Sequence, residues 1–231
     1  MNKARGIAYG VVMAFSLFLA VLWQVLFAQE INYYIVSVGV LVLSMLPFFM
    51  GFEMKKITAR EITLVATFIA LAVVSRALFY LVPQFKPIAA VVIASAVCVG
   101  SGRGYIVGAF SAFISNFIFG QGFWTPFQMV ALGLIGFVSG ALFKKISVNR
   151  VSLSVVGFIL AFVLYGLIVD MSTVISVYGS SLNIKGVLSV YLAGLPFSLT
   201  FGAATAVFLF FFGEIFIKKI KRIMIKYNIL S

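Results

Sequence analysis

The chain has 231 residues, of which 64% are hydrophobic and 10% are charged, and it carries a formal net charge of +12. Soluble domains are about half apolar and about a quarter charged, so this composition excludes an ordinary soluble protein and predicts a polytopic membrane protein. Period-two alternation, the mark of half-buried strands, is missing, and we therefore expect an all-α fold.

Eight apolar runs follow one another along the chain, each bounded by charges or by glycine and proline. They cover residues 7–28, 33–52, 62–82, 88–100, 105–119, 126–143, 151–175 and 187–217. Because a membrane span needs about 20 residues, the fourth and fifth runs are short, and the eighth is too long for one straight helix. Pro196 is predicted to kink the eighth run.

The distribution of basic residues tests this count, because cytoplasmic loops carry an excess of lysine and arginine. Eight alternating spans with both termini in the cytoplasm place 14 of the 17 basic residues inside the cell. Only Lys86 and Lys185 fall outside, and Arg76 alone lies within a span. The positive charge therefore reflects membrane topology rather than nucleic-acid binding.

Small residues recur every four positions in the later runs, which favours close packing of helices. The members of these stripes are Gly104, Gly108 and Ala112; Gly136 and Gly140; and Gly194, Ser198, Gly202 and Ala206. Such spacing is sparse in the first two runs, which are followed by a basic linker at residues 53–60. We therefore divide the chain into an amino-terminal transmembrane hairpin, residues 1–55, and a six-helix membrane domain, residues 56–231.

A polar and aromatic turn at residues 116–128 separates the fifth run from the sixth. Gly120 and Gly122 would supply turn conformations, and Thr125 followed by Pro126 predicts a helix start. Trp124 is a ring of the kind that settles at the headgroup level of a membrane. The turn is therefore predicted to lie at the outer membrane surface.

Polar side chains within the runs concentrate in the predicted outer half of the membrane. A charge in a span costs about 3 kcal/mol on insertion scales, so Arg76 and Asp170 should pair with each other, line a wet cavity or reach the headgroups. Asn116 lies at a similar depth, and its amide also needs partners in lipid. The predicted outer loops add more amides, aromatic rings and a cation, namely Gln84, Phe85, Lys86, Gln121 and Gln128. This mixture suits a polar organic ligand better than an inorganic ion.

The same composition argues against an enzyme. The chain has no histidine, five carboxylates and a single cysteine, Cys98, which leaves few proton shuttles or metal ligands. Asp170 is the clearest candidate for a catalytic base, and it lacks a second carboxylate nearby in the sequence. We expect no catalytic residue, no metal site and no cofactor.

From Ala59 onward the chain resembles the substrate-binding S components of energy-coupling factor (ECF) vitamin transporters. Ala66-Thr-Phe-Ile-Ala70 is similar to the alanine pair by which these subunits dock on a transmembrane coupling subunit. A further series resembles the subgroup associated with cobalamin and its precursors: Arg76, Gln84 to Pro87, Ser115-Asn116, Gly120 to Gly122, Trp124 to Pro126, and Gln128-Met129. The hairpin departs from the usual six helices, and Phe127 stands where the subgroup pattern allows either kind of aromatic residue.

The resemblance implies a subunit in the plasma membrane of a prokaryote that captures a vitamin outside the cell. Its implied substrate-binding residues are Arg76, Gln84, Phe85, Lys86, Asn116, Gln121, Trp124, Thr125, Gln128 and Asp170. Its implied partners are a coupling subunit, which would contact Ala66 and Ala70, and two ATPases. ATP hydrolysis is left to those partners, because the chain has no phosphate-binding loop of the form G-x-x-x-x-G-K-[ST].

Three other functions stay open at this point. An S component could bind another vitamin, such as riboflavin or thiamin, and a solitary transporter could work without ATPases. An intramembrane enzyme is the third, and it is disfavoured by the missing acid and base groups. Co-purification with ATPases would distinguish an S component, which needs them, from a solitary transporter, which does not.

The predicted topology can be tested by thiol labelling of single-cysteine variants in a Cys98→Ala background. In intact cells, a cysteine at Gln121 should react with an impermeant reagent, and one at Ser147 should not. Labelling at Ser147 would contradict the eight-span topology.

Overall fold

The computed structural model describes residues 58–178 and 183–227, and these ranges contain six helices and no strand. The helices are α1 (Ala59–Leu78), α2 (Ile88–Val99), α3 (Ser101–Phe119), α4 (Thr125–Leu142), α5 (Arg150–Tyr178) and α6 (Ile184–Lys226). The all-α prediction is confirmed for this part of the chain. The predicted hairpin lies outside the described residues.

Four of these helices, α1, α4, α5 and α6, are long and apolar enough to cross a membrane. The shorter α2 is equally apolar but has only 12 residues, or about 18 Å at 1.5 Å per residue. The prediction that the fourth run is short is therefore confirmed. Together these helices are compatible with a multi-pass membrane bundle.

Two predicted boundaries are wrong by about one turn. Helix α3 begins at Ser101 rather than Tyr105, because Gly100 adopts a φ of 89° and lets α2 end and α3 begin with no linker. Helix α1 ends at Leu78, although the apolar run continues to Val82. The residues from Phe79 to Pro87 form turns instead, which leaves Lys86 in a loop beside the end of α1.

Helix α6 continues through Pro196 and extends over 43 residues. Its departure from α-helical geometry is a π-helical segment at Leu209–Gly213, and α5 contains a similar segment at Leu160–Tyr165. The kink expected at Pro196 stays a prediction, since the helix is continuous there and the π segment lies about four turns further on. Such π segments let a long helix adjust its face toward its neighbours.

The core surrounds α2, whose side chains are buried on nearly every face. Ala89, Val92, Ile93 and Ala96 are fully buried there. Helix α2 packs against α1, α3, α4 and α6, so a short central helix is enclosed by longer ones. This arrangement explains how an apolar helix too short to cross a membrane is accommodated.

The backbones of α3 and α4 come into direct contact through the predicted stripes of small residues. A Cβ atom at Gly108 would collide with the carbonyl of Leu132, and one at Gly136 would collide with the carbonyl of Gly104. Only glycine permits this approach. The predicted role of these stripes in close packing is confirmed for α3 and α4.

Helices α1 and α3 run in the same direction, and one end of the bundle holds their first turns together with the end of α6. There Arg103 Nη2 lies 2.8 Å from Glu61 Oε1, and Arg60 Nη1 donates to the carbonyl of Tyr227 at 3.2 Å. We call this end the basic end. The opposite end, where α1 and α3 finish and α4 begins, carries the polar groups described below.

We expect Gly108→Ala to lower stability by about 1 to 3 kcal/mol, because the added methyl group forces apart two backbones in contact. Gly102→Ala is the matched control, since it lies in the same helix with no atom within 4 Å of the added Cβ. It should be neutral or stabilising by up to about 1 kcal/mol. Thermal unfolding in detergent, followed by circular dichroism, measures both. Equal stability of the two variants would contradict the proposed tight contact.

Candidate functional site

The turn between α3 and α4 brings two amide side chains together. Helix α3 ends at Phe119, and Gly120 has a φ of 100°, so the chain reverses without strain. Gly122 leaves room for the ring of Trp124, which lies where a Cβ would be. Asn116, one turn before this reversal, and Gln128, one turn after α4 begins, therefore face each other.

Asn116 is the centre of a hydrogen-bond network. It is only 1% exposed, and its Nδ2 donates to Thr125 Oγ1 at 3.0 Å and to Gln128 Oε1 at 2.8 Å. Its Oδ1 accepts from Arg76 Nη1 at 2.8 Å. Both amide protons and one oxygen lone pair are thus used within the protein. Asn116 holds other side chains in place and has little capacity left for a ligand.

Thr125 is the first residue of α4 rather than a cap that precedes it, which corrects the predicted role of its side chain. The helix cap position is Trp124, and Pro126 follows in the first turn. The hydroxyl oxygen of Thr125 accepts from Asn116 and from the backbone N–H of Gly122, at 3.2 Å. Thr125 thereby ties the turn to the network.

Arg76 joins α1 to this network. The same Nη1 atom that bonds Asn116 also donates to Ser115 Oγ, and the guanidinium carbon lies 4.4 Å from the centre of the Phe119 ring. A cation over an aromatic face is attracted by the ring electrons. Of the environments that the sequence left open for Arg76, the ion pair with Asp170 is absent. The groups that accept hydrogen bonds from the guanidinium are neutral instead.

The loop after α1 adds a second cation. Lys86 Nζ lies 4.5 Å from the centre of the same Phe119 ring that Arg76 contacts. Burial, and to a smaller extent the positive charge of Arg76, lowers the pKa of Lys86 below its ordinary value. Gln84 has a φ of 54°, an uncommon conformation for a residue with a side chain, and it directs the loop back toward α2. Two cations thus share one aromatic ring.

Some predicted site residues lie outside this network. Phe85 packs against Phe79 and Phe208, with ring centres 6.3 and 6.0 Å away. Gln121 is exposed and donates back to the carbonyl of Phe113 at 3.0 Å. Trp124 is 37% exposed and packs edge-on against Phe123. These residues surround the network without bonding to it.

Asp170 lies on α5, where its carboxylate faces Gly194 of α6. A stripe of small residues on α6 therefore makes room for a polar side chain as well as for a neighbouring helix. Tyr165, one turn and a half earlier on α5, lies close enough to interact with the charges of both Arg76 and Asp170. No ion pair joins Asp170 to the network within the described residues.

Sequence reasoning missed Phe119 as a platform for both cations, and it missed Tyr165. Phe119 is one of 26 phenylalanines, and nothing in its local sequence distinguishes it. Ser115 was part of the resemblance, but its contact with Arg76 could not be read from the chain. Contacts between residues 39 or 40 positions apart depend on how α1 and α3 pack.

Two cavities occur elsewhere in the described residues. One, of about 470 Å³, lies near the basic end and is lined by Ala59, Arg60, Thr63, Leu64, Thr67 and Tyr227. The other, of about 260 Å³, lies between α1, α2 and α6 among mostly apolar side chains that include Phe79, Phe208 and Phe216. In the ranges 58–178 and 183–227, no three histidine, cysteine or carboxylate side chains cluster as metal ligands would.

The alanine pair of α1 is exposed. Ala66 and Ala70 face outward, with Thr63 and Thr67 beside them on the same face. Both threonine hydroxyls donate to carbonyls of their own helix, to Ala59 at 3.0 Å and to Thr63 at 2.8 Å. Their polar groups are therefore satisfied, and the face is smooth and largely apolar.

Comparison with known proteins places these elements in a family without assigning an activity to them. No curated protein and no solved structure matches the chain. One family model matches residues 55–223, a range that runs from the linker before α1 into the last turns of α6, and it includes every residue of the network. Because this match covers well over half of the sequence, the chain belongs to the family of unknown function DUF6580.

Proposed function

We propose that this chain is the substrate-binding membrane subunit of an ECF-type importer and that it captures a vitamin, cobalamin or a corrinoid precursor, on the outer side of the membrane. The observation that carries the proposal is the polar network at one end of an apolar bundle. Several of its donors have no partner among the described residues. Because every fully buried side-chain nitrogen or oxygen there has a partner, these donors reach the surface, where a ligand can accept from them.

The open donors lie on three side chains. Gln128 uses its oxygen to accept from Asn116, and its NH₂ group makes no hydrogen bond within the described residues. In the same part of the chain, Arg76 donates through Nη1 alone, and Lys86 lies against the Phe119 ring. Asn116 fixes the positions of Arg76 and Gln128, so these donors are presented in one geometry. Preorganised donors of this kind favour binding of a polar ligand.

A corrinoid fits the chemistry of this region. It is rimmed by amides and apolar on its faces, so its site should combine amide partners with flat aromatic surface. Gln84 and Gln128 supply amides, and Phe85 and Trp124 supply rings. Riboflavin or thiamin would need fewer amide partners and a narrower site. They are the alternatives within the same class of transporter.

Import against a gradient needs energy that this chain does not supply, since its sequence lacks a phosphate-binding loop. A coupling subunit and two ATPases would provide it. The smooth face of α1 around Ala66 and Ala70 suits contact with a helix of the coupling subunit, because small residues let helix backbones approach closely. A solitary transporter would not need this face.

Calorimetry on the purified full chain with cobalamin, cobinamide, riboflavin and thiamin tests the ligand. We expect binding of a corrinoid, weakened roughly 5-fold to 150-fold by Gln128→Ala, which removes a donor. Gln121→Ala is the matched control, because that side chain bonds the backbone of its own turn. Tight binding of riboflavin or thiamin with no corrinoid binding would reject the corrinoid assignment and keep the importer.

The coupling face is tested by replacing the alanine pair with tryptophan. Ala66→Trp with Ala70→Trp should abolish uptake and co-purification of the coupling subunit, because bulky rings prevent close helix contact. Ligand affinity should stay within a few-fold. Val155→Trp, at an exposed position on α5, is the control and should assemble normally. Normal assembly of the double variant would assign the coupling surface to another face.

A further inference from the structure

Arg76 has hydrogen-bonding capacity that the protein leaves open. Its Nη1 atom serves both Ser115 and Asn116, whereas Nη2 and Nε bond no group within the described residues. Every fully buried side-chain nitrogen or oxygen of the described residues has a hydrogen-bond partner. Nη2 and Nε must therefore reach the protein surface, where an outside group can accept from them.

The three carboxylates of the described residues do not neutralise this cation. Glu61 pairs with Arg103 at 2.8 Å, and Glu214 pairs with Lys218 and with Arg150. Asp170 faces Gly194 and forms no ion pair. The remaining carboxylates of the chain, Glu30 and Glu53, lie outside the described residues. Arg76 is thus a half-buried charge surrounded by neutral hydrogen-bond partners.

The positive charge of Lys86 further destabilises the unpaired guanidinium of Arg76. It adds a second positive charge at the same ring, where the two cations repel each other. Charges removed from water are stabilised by an opposite charge held with good geometry. Both cations lie against one ring, and no carboxylate of the described residues pairs with either, so an anion that contacted both would offset their repulsion.

The geometry points to a site between Arg76 and Lys86 that binds the carboxylate or phosphate group of a solute. A guanidinium presents two parallel N–H groups to such an anion, and an ammonium adds a mobile point charge. The NH₂ group of Gln128, fixed by Asn116, is the third donor. This inference rests on the proposed function, because it assumes that the solute approaches from the outer side of the membrane. It narrows the substrate class to molecules that carry an anionic group.

The requirement for an anionic group distinguishes cobalamin from cobinamide, two corrinoids that are otherwise alike. Cobalamin contains a phosphate, and cobinamide does not. If the corrinoid phosphate occupies this site, cobalamin should bind more tightly than cobinamide. Lys86→Gln should then reduce the affinity for cobalamin and leave that for cobinamide unchanged.

The direct test uses inorganic phosphate as the probe. The purified full chain, in a maltoside detergent that lacks phosphate, is unfolded thermally over a range of phosphate concentrations at constant ionic strength set by chloride. Phosphate should raise the melting temperature of the wild type. Lys86→Gln and Arg76→Gln should each weaken the apparent affinity roughly 10-fold to 150-fold, the range for hydrogen bonds to charged groups. Lys185→Gln removes a lysine from the start of α6 as a control and should leave the affinity unchanged.

Several outcomes would overturn the proposal. Lys86 lies in a loop, so Lys86→Gln tests the anion site even if Arg76→Gln fails to fold. Equal phosphate affinity in Lys86→Gln and Lys185→Gln rejects the site. Stabilisation by phosphatidylglycerol vesicles with none by inorganic phosphate would assign the anion to a lipid headgroup. A tenfold gain in phosphate affinity in Glu30→Gln would identify that carboxylate as the occupant.

The test is independent of the ligand assay. Phosphate binding that depends on Lys86, without any corrinoid binding, would keep the anion site and reject the corrinoid proposal. Cobalamin binding that is the same in Lys86→Gln and wild type, together with no Lys86-dependent phosphate binding, would keep the proposed function and reject the anion site.

Discussion

The contact between the backbones of α3 and α4 determines most of what lies at the end of the bundle away from the basic end. Glycines at 104, 108 and 136 let the first half of α3 touch the second half of α4, which holds the two helices side by side and favours a tight turn between them. A tight turn puts Asn116 and Gln128 within one hydrogen bond of each other. The amide network is therefore a consequence of glycine packing, and separating the helices would remove it.

Part of this arrangement could be predicted from the sequence, because it depends on local rules. The helical fold, the reversal at Gly120 and the small-residue stripes follow from hydropathy, backbone freedom and four-residue spacing. The partners of Arg76 could not be predicted in this way. They depend on the rotation of α1 about its own axis relative to α3, and an apolar helix carries little periodic signal to fix that rotation. For the same reason, the sequence left open whether Asp170 pairs with Arg76, and in the structure its carboxylate faces Gly194.

Helices α1 and α3 are joined at both ends, and the two junctions differ in electrostatic character. At the basic end, Glu61 neutralises Arg103. About 22 Å further along α1, at 1.5 Å per residue, Arg76 meets Asn116 and Ser115 instead. Either junction can fix how far α1 is shifted along its axis relative to α3. Among the described residues, only the second junction leaves its cation without an opposite charge.

That difference explains why neutral partners at Arg76 are compatible with a binding role. A carboxylate in place of Asn116 would hold the guanidinium as firmly and would cancel its charge, so an incoming anion would meet no attraction. An amide fixes the orientation of the guanidinium and preserves its field, which is stronger at a site partly removed from water. In the proposed anion site, the cost of leaving the cation unneutralised would be recovered on binding, so the same charge that weakens the empty protein would favour the loaded one.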